Sequence, residues 1–250
     1  MGRANGWRVI GRVAGLYRHP IKSMAAQSLA RATVDRYGIA GDRRFALKRR
    51  GDQSSFPWLT AASKLPALIR YEVCCELGDA PARARMHVHA SGGDFISCEG
   101  DDFSRHFADA HGVDVELAHL EQGMFDLAGL SVITTQTLAS LAAMIGLPMD
   151  PRRFRPNVLI DTGSGSDPFP EDAWVGRTLA FGEVESGASA SVTELDERCS
   201  MINLDPDTGL GAPEVMRTVV RERGNYAGVY AVPTRGGAIA VGDIARCSDM

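Results

Sequence analysis

The chain has 250 residues, of which 27 are Lys or Arg and 31 are Asp or Glu, giving a formal net charge of −4 at pH 7. With 44% hydrophobic and 23% charged residues, it has the composition of a globular protein that buries a core of its own. The acidic balance argues against nucleic acid and anionic membranes as partners, because those partners are usually met by a positive surface.

The cysteine pattern excludes two further classes. The five cysteines are an odd number, two of them are adjacent (Cys74 and Cys75), and no C-x-x-C pair or zinc-finger spacing occurs. This pattern indicates neither a disulfide scaffold nor a structural zinc site. Arg3, Arg8 and Arg12 interrupt the apolar run that a signal peptide needs. We therefore expect a reducing, cytoplasmic setting.

The N-terminal half alternates short strands with one helix. Val, Ile and Gly recur over Trp7–Tyr17 and predict a strand there. Phe103 and Phe107 recur at helical spacing and predict an amphipathic helix over Asp102–His111. His87 and His89 alternate onto one face of a strand, where the lack of a third ligand nearby in sequence favours a solvated face over a metal site. Further strands are predicted at Ala32–Val34, Arg44–Leu47, Ile69–Leu77 and Met86–Ala90.

The uncharged stretch Leu127–Met149 is long enough to cross a bilayer. Its hydroxyl and amide side chains make it too polar to insert. We interpret it as a buried strand end followed by a core helix over Thr137–Ile145, which Pro148 and Pro151 bring to an end.

The C-terminal half is rich in short strands separated by Gly, Asp and Pro turns. Such strands favour a closed β-barrel, because closure removes exposed strand edges. A helix is predicted over Glu214–Arg223 and a loop over Thr162–Pro170. The predicted strands are Asn157–Asp161, Thr178–Phe181, Ala188–Thr193, Gly228–Val232 and Ala238–Val241.

Three local sequences concentrate side chains that bind anions: His19–Ser23, Phe154–Asn157, and Arg198-Cys199 followed by Asp205–Gly209. A lysine offers a phosphate a point charge and an arginine offers a planar fork, although solvated loop charges would give the same pattern. Arg198 also favours the thiolate of Cys199, the form that binds metals and attacks electrophiles. An inert buried cysteine is the equally open alternative.

Taken together, these segments resemble the MOSC family, the molybdenum cofactor sulfurase C-terminal domains. The likeness rests on YRHPIKS (Tyr17–Ser23), GDRRF (Gly41–Phe45), FRPN (Phe154–Asn157) and RCSMINLDPDTG (Arg198–Gly209), in that order. Ala240–Asp243 also looks like the closing strand of the family. The chain is most similar to the subgroup with an N-terminal β-barrel region, which includes the mitochondrial amidoxime-reducing component.

The resemblance implies an α+β, mainly β fold: a MOSC-type β-barrel with flanking helices and a smaller α/β region in the N-terminal half. We expect residues 1–47 and 126–250 to form the barrel domain and residues 48–125 to form the smaller region. The resemblance also implies a Mo-molybdopterin cofactor whose metal is bound by the thiolate of Cys199. The implied cofactor-binding residues are Lys22, Ser23, Arg43, Thr134, Thr137, Arg155, Asn157 and Arg198. Asp205 or Asp207 would orient substrate or solvent, although a structural turn at D-P-D-T-G is equally open.

The function implied by the resemblance is a molybdenum-dependent reductase of small N-hydroxylated compounds. Near Met250 the sequence has only Cys247 in place of a ferredoxin-type C-x4-C-x2-C motif, so a separate electron-transfer protein is the expected partner. A sulfur (persulfide) or molybdenum cofactor carrier is the alternative. A metal-free protein with Cys199 as nucleophile is a third hypothesis.

Overall fold

The computed structural model describes residues 6–62, 64–75, 86–90, 93, 95–123, 128–163, 165 and 167–249. Within these residues the strands are β1 (Trp7–Arg18), β2 (Gln27–Leu29), β3 (Arg31–Asp35), β4 (Gly38–Ile39), β5 (Phe45–Arg49), β6 (Glu72–Cys75), β7 (Met86–His89), β8 (Phe95–Ser97), β9 (Val115–His119), β10 (Leu130–Thr134), β11 (Val158–Asp161), β12 (Thr178–Phe181), β13 (Ser189–Glu197), β14 (Tyr226–Arg235), β15 (Gly237–Ala240) and β16 (Ile244–Ser248). The α-helices are α1 (Asp102–His111), α2 (Thr135–Ile145), α3 (Pro151–Phe154) and α4 (Pro213–Arg223). Short 3-10 helices lie at Pro66–Arg70, Pro170–Trp174 and Ser200–Asn203.

A closed barrel of seven strands dominates the fold. Its strands follow the order β11-β10-β14-β13-β12-β16-β1, and antiparallel pairing of β1 with β11 closes the ring. The long strand β1 changes register between Val9 and Gly11 and again between Val13 and Gly15. Such bulges bend a strand and let one strand serve two neighbours around a barrel. The predicted α+β, mainly β barrel is confirmed.

Among the described residues, the buried apolar side chains form three clusters. One fills the barrel, a second packs beneath α1 and the sheets β5-β9 and β6-β7-β8, and a third lies between α2, α4 and the barrel wall. Met201 belongs to the second cluster and its neighbour Ile202 belongs to the third. The 3-10 helix that carries both therefore lies where the part of the fold built on the second cluster, here called the smaller region, meets the barrel.

Several sequence predictions are confirmed. Helix α1 has the predicted bounds, and the predicted pairing of a buried strand with a core helix is found as β10 followed by α2. The structure describes no helix that combines the length and apolarity needed to span a bilayer. The proposed domain boundaries stay a prediction.

Two predicted strands were placed wrongly. Between Ile69 and Leu77, the strand begins only at Glu72, because Pro66 starts a 3-10 helix that runs to Arg70. Residues 76 and 77 lie outside the described residues. In the stretch Ala240–Asp243, Ala240 ends β15 and residues 241–243 form the turn that precedes β16, so the strand expected there is not formed.

A close backbone crossing gives a test of this fold. A Cβ added to Gly129, just before β10, would lie 2.4 Å from the carbonyl oxygen of Tyr37. Gly129→Ala is therefore expected to lower the free energy of unfolding by about 1–3 kcal/mol, since two backbone segments must separate. Gly211→Ala is the control, because open space surrounds that position. Equal stability of the two variants in urea denaturation would contradict this packing.

Candidate functional site

A cavity of about 650 Å³ opens at the junction of the barrel with the smaller region. Phe56, Phe154, Met201 and Ile202 contribute apolar surface to its wall. Six of the site residues expected from the sequence line it: Lys22, Ser23, Arg43, Arg155, Arg198 and Cys199. The fold thus brings four separate sequence motifs to one place.

Among the described residues of the cavity wall, three have left-handed backbone conformations that residues other than glycine seldom adopt. The φ angles are 71° for Ser23, 47° for Arg43 and 50° for Arg155. Arg155 occupies this conformation as the residue that ends α3. Such strain costs on the order of 1–3 kcal/mol per residue and persists only where the surroundings enforce it, commonly at functional sites.

The cation of Arg43 is fixed by a buried carboxylate. Asp42 accepts hydrogen bonds from the backbone N–H of His19 at 2.6 Å and from Nη1 of Arg43 at 2.5 Å. Burial alone would raise the pKa of Asp42, but the Arg43 cation and the contacts with His19 hold that pKa well below its usual range. The other terminal nitrogen of Arg43 donates to the carbonyl of Arg155 at 2.8 Å. This chain of contacts ties the N-terminal motif to the FRPN motif.

Arg198 and Cys199 follow the end of β13 and have opposite environments. The Arg198 side chain is buried and donates through Nη1 to the carbonyl of Phe154 at 2.7 Å and through Nε to the carbonyl of Ala227 at 2.6 Å. Its Nη2 lies 2.7 Å from Oδ2 of Asp196. Cys199 is exposed in the cavity wall and immediately precedes the 3-10 helix Ser200–Asn203. The hydrogen bonds and the ion pair of Arg198 therefore fix the backbone that carries the accessible thiol of Cys199.

Asp196 is a cavity residue that the sequence analysis missed. It lines the wall, is fully buried, and its Oδ2 accepts a hydrogen bond from the hydroxyl of Ser131 at 2.6 Å. Burial raises the pKa of Asp196 even though the Arg198 cation and the Ser131 hydrogen bond oppose that shift. The signal that was available is the two-residue spacing of Asp196, near the end of β13, and Arg198, just after it.

Thr134, Thr137 and Asn157 lie outside the cavity lining. The Thr134 hydroxyl donates to the buried carboxyl of Glu171 at 2.8 Å and accepts from the backbone N–H of Thr137 at 3.1 Å, where it caps α2. Burial raises the pKa of Glu171. The Asn157 amide oxygen accepts from the backbone N–H of Ser131 at 3.1 Å, behind the wall. These contacts join the start of α2 to the 3-10 helix Pro170–Trp174 and hold the start of β11 beside β10.

Asp205 and Asp207 also lie outside this lining. Asp205 accepts a hydrogen bond from the backbone N–H of Thr208 at 3.0 Å and pairs with Arg153 at 2.8 Å. Burial would raise the pKa of Asp205, but the hydrogen bonds from Thr208 and from the backbone of Asp207 lower it. Asp207 pairs with Arg152 at 2.8 Å beside a second cavity of about 460 Å³. These contacts stabilise the D-P-D-T-G turn.

The fold and the site define a class of protein: a closed barrel with a cationic cavity that presents one thiol. The family model of the MOSC domain matches residues 105–246, and that of the MOSC N-terminal beta barrel domain matches residues 10–124. The chain therefore belongs to the MOSC domain family.

Two individual proteins are similar to this chain. A molybdenum cofactor sulfurase from Oryza sativa subsp. japonica is 41% identical over 81 residues, which are 31% of this chain and 8% of that protein. The crystal structure of the YuaD protein from Bacillus subtilis matches with a TM-score of 0.52 and 17% identity, and covers 98% of this chain and 100% of its own. The second likeness shows a shared fold.

The buried histidine beside Asp42 predicts an acid-sensitive step in stability. Burial, and next the Arg155 cation, hold the pKa of His19 at about 3, against an ordinary value of 6.5. Below pH 6.5 the His19 imidazole is protonated in the unfolded chain, but in the folded protein it stays neutral until the pH nears 3. The free energy of unfolding should therefore fall toward pH 3, by at most about 1.4 kcal/mol per pH unit from this residue.

Urea denaturation at a series of pH values measures this dependence. His19→Gln should flatten the slope between pH 6 and pH 4, because the titrating group is gone. His87→Gln replaces an exposed histidine and should leave the slope unchanged. Identical slopes in His19→Gln and the unaltered protein would contradict a lowered pKa of His19 as the source of the acid sensitivity.

Proposed function

We propose that this protein binds the molybdenum cofactor, Mo-molybdopterin, in the 650 Å³ cavity, with the thiolate of Cys199 as a metal ligand. The observation that carries the proposal is the exposed thiol of Cys199 in a wall that also contains Lys22, Arg43 and Arg155. A soft thiolate suits a metal that already has sulfur ligands. Lysine and arginine side chains are the groups that bind a terminal phosphate.

The residues present fit such a group in size and in chemistry. The cavity volume lies within the range of about 300–1,000 Å³ that is typical of cofactor and small-ligand sites. Its apolar side, with Phe56 and Met201, offers a surface for a flat ring system. Two of its cations, Arg43 and Arg155, have strained backbone that is held by the hydrogen bond between them. Little reorganisation is needed to receive an anionic ligand, which favours affinity.

The reaction that we propose is the reduction of small N-hydroxylated compounds. The N–O bond breaks, two electrons and two protons are consumed, and the oxygen leaves as water. When bound, the cofactor supplies the two-electron chemistry. The chain contributes the ligand Cys199, the engaged Arg198 that holds it in place, and the apolar wall that excludes bulk water from the reacting group. The electrons come from a separate electron-transfer protein.

Replacing the thiol tests this assignment. Cys199→Ser should abolish reduction of benzamidoxime by protein produced in a cofactor-competent host and supplied with an artificial electron donor, because a hydroxyl is a poor ligand for a soft metal. Cys74→Ser is the matched control, since Cys74 is exposed but lies outside this cavity. Full activity of a cofactor-loaded Cys199→Ser protein would overturn the role of Cys199.

The alternative function is that of a sulfur carrier, and the exposure of Cys199 specifically favours it. A persulfide on this residue would be accessible to a partner or a cofactor. Intact-mass spectrometry without reductant distinguishes the two functions: a persulfide on Cys199 in protein that lacks molybdenum supports the carrier. The similarity to a molybdenum cofactor sulfurase is compatible with either function.

The phosphate-binding role assigned to Lys22 is tested by cofactor retention. Lys22→Ala should lower the pterin content of the purified protein, because one cation that faces the cavity is removed. Lys48→Ala is the control, since Lys48 is paired with Glu116 away from the cavity. Released pterin is measured by its fluorescence after oxidation. Equal pterin content in the two variants would contradict the role of Lys22.

A further inference from the structure

A cluster of three side chains in the smaller region is separate from the cavity described above. It consists of Tyr71, just after the 3-10 helix Pro66–Arg70, and His106 and His111 of α1. The phenol oxygen of Tyr71 lies 2.8 Å from Nε2 of His106 and 2.7 Å from Nε2 of His111. Two imidazole nitrogens therefore lie within hydrogen-bond distance of one phenol oxygen, and all three atoms can bind a metal ion.

Packing fixes the orientation of all three rings. The Tyr71 side chain is only 5% exposed, and its ring stacks on Phe107 with centroids 5.2 Å apart. The His106 ring meets the same phenylalanine edge-on at 5.5 Å, and the His111 ring lies 5.7 Å from it. One buried aromatic ring therefore orients every member of the cluster, so little ordering is left for a bound ion to impose.

The Tyr71 hydroxyl has a single proton and two neighbouring nitrogen atoms. A hydroxyl donates a single hydrogen bond, so Tyr71 can donate to one Nε2 atom and must accept from the other. A divalent ion bound to both Nε2 atoms and to the phenol oxygen would release the phenol proton to solvent, and the imidazole that donates to Tyr71 would carry its proton on Nδ1 instead. Imidazole is a preferred ligand of borderline divalent ions such as Zn²⁺.

We propose that Tyr71, His106 and His111 form a binding site for a divalent transition ion of the Zn²⁺ class. Both imidazoles are partly exposed, so water completes the coordination from the solvent side. The ion would link the segment that follows the 3-10 helix to α1 and stabilise the second apolar cluster. The site is independent of the cofactor cavity and of the function proposed for it.

Zinc titration of the tag-free, full-length protein by calorimetry tests the site. His106→Gln/His111→Gln should abolish one equivalent of bound Zn²⁺, and the glutamine amides can still hydrogen-bond the Tyr71 hydroxyl, so the fold is kept. Tyr71→Phe keeps the stacking on Phe107 and should weaken binding by at least about tenfold, since loss of even an outer-shell partner costs about 10–100-fold. Zn²⁺ should also raise the melting temperature of the unaltered protein but not that of the double variant.

The control is His87→Gln/His89→Gln, which removes the histidines of β7 and should leave the affinity unchanged. Binding of zinc at a cysteine elsewhere would also persist in the His106/His111 double variant, so the difference between the titrations isolates this site. If His106→Gln/His111→Gln binds as many equivalents of Zn²⁺ as the unaltered protein, the proposal is overturned. Absence of saturable binding below about 1 mM would do the same.

Discussion

The buried guanidinium of Arg198 is the contact on which the site depends. It bonds the carbonyls of Phe154 and Ala227 and pairs with Asp196, and so joins the end of α3, the start of β14 and the strand β13. This close seating requires Gly228, where an added Cβ would lie 2.9 Å from Nη2 of Arg198. The position of the neighbouring thiol follows from these contacts, because Cys199 directly continues the same backbone.

A second buried ion pair, Asp42 with Arg43, fixes the cavity wall on the N-terminal side. Asp42 and Arg43 connect the turn after His19 to the backbone of Arg155. Buried ion pairs often add little net stability, because desolvation offsets most of their attraction. Their contribution here is geometric, since two arginines of the cavity wall are held where strained backbone alone would relax. The contacts of these charged side chains therefore keep the strained backbone of the cavity wall in place.

The sequence could predict the periodic elements and the motif residues but not the contacts between distant segments. Helix α1 was predictable from Phe103 and Phe107, and the barrel from short strands with glycine corners. Asp196 was missed because an acid on a strand normally faces water, and only the fold shows that it faces Arg198. Thr134 was expected at the cofactor, but its hydroxyl bonds Glu171, which lies 37 residues further along the chain. Burial of such polar groups depends on tertiary packing, which local pattern does not encode.

If the cationic cavity beside Cys199 holds a molybdenum-pterin cofactor, metal and pterin should copurify with the protein. The most direct test is the molybdenum and pterin content of protein purified from a host that makes the cofactor, measured by elemental mass spectrometry and by pterin fluorescence. Molybdenum and pterin should both be present in near-stoichiometric amounts, and in equal proportion to each other. Absence of both from folded protein would contradict cofactor binding and would favour a carrier or nucleophile function for Cys199.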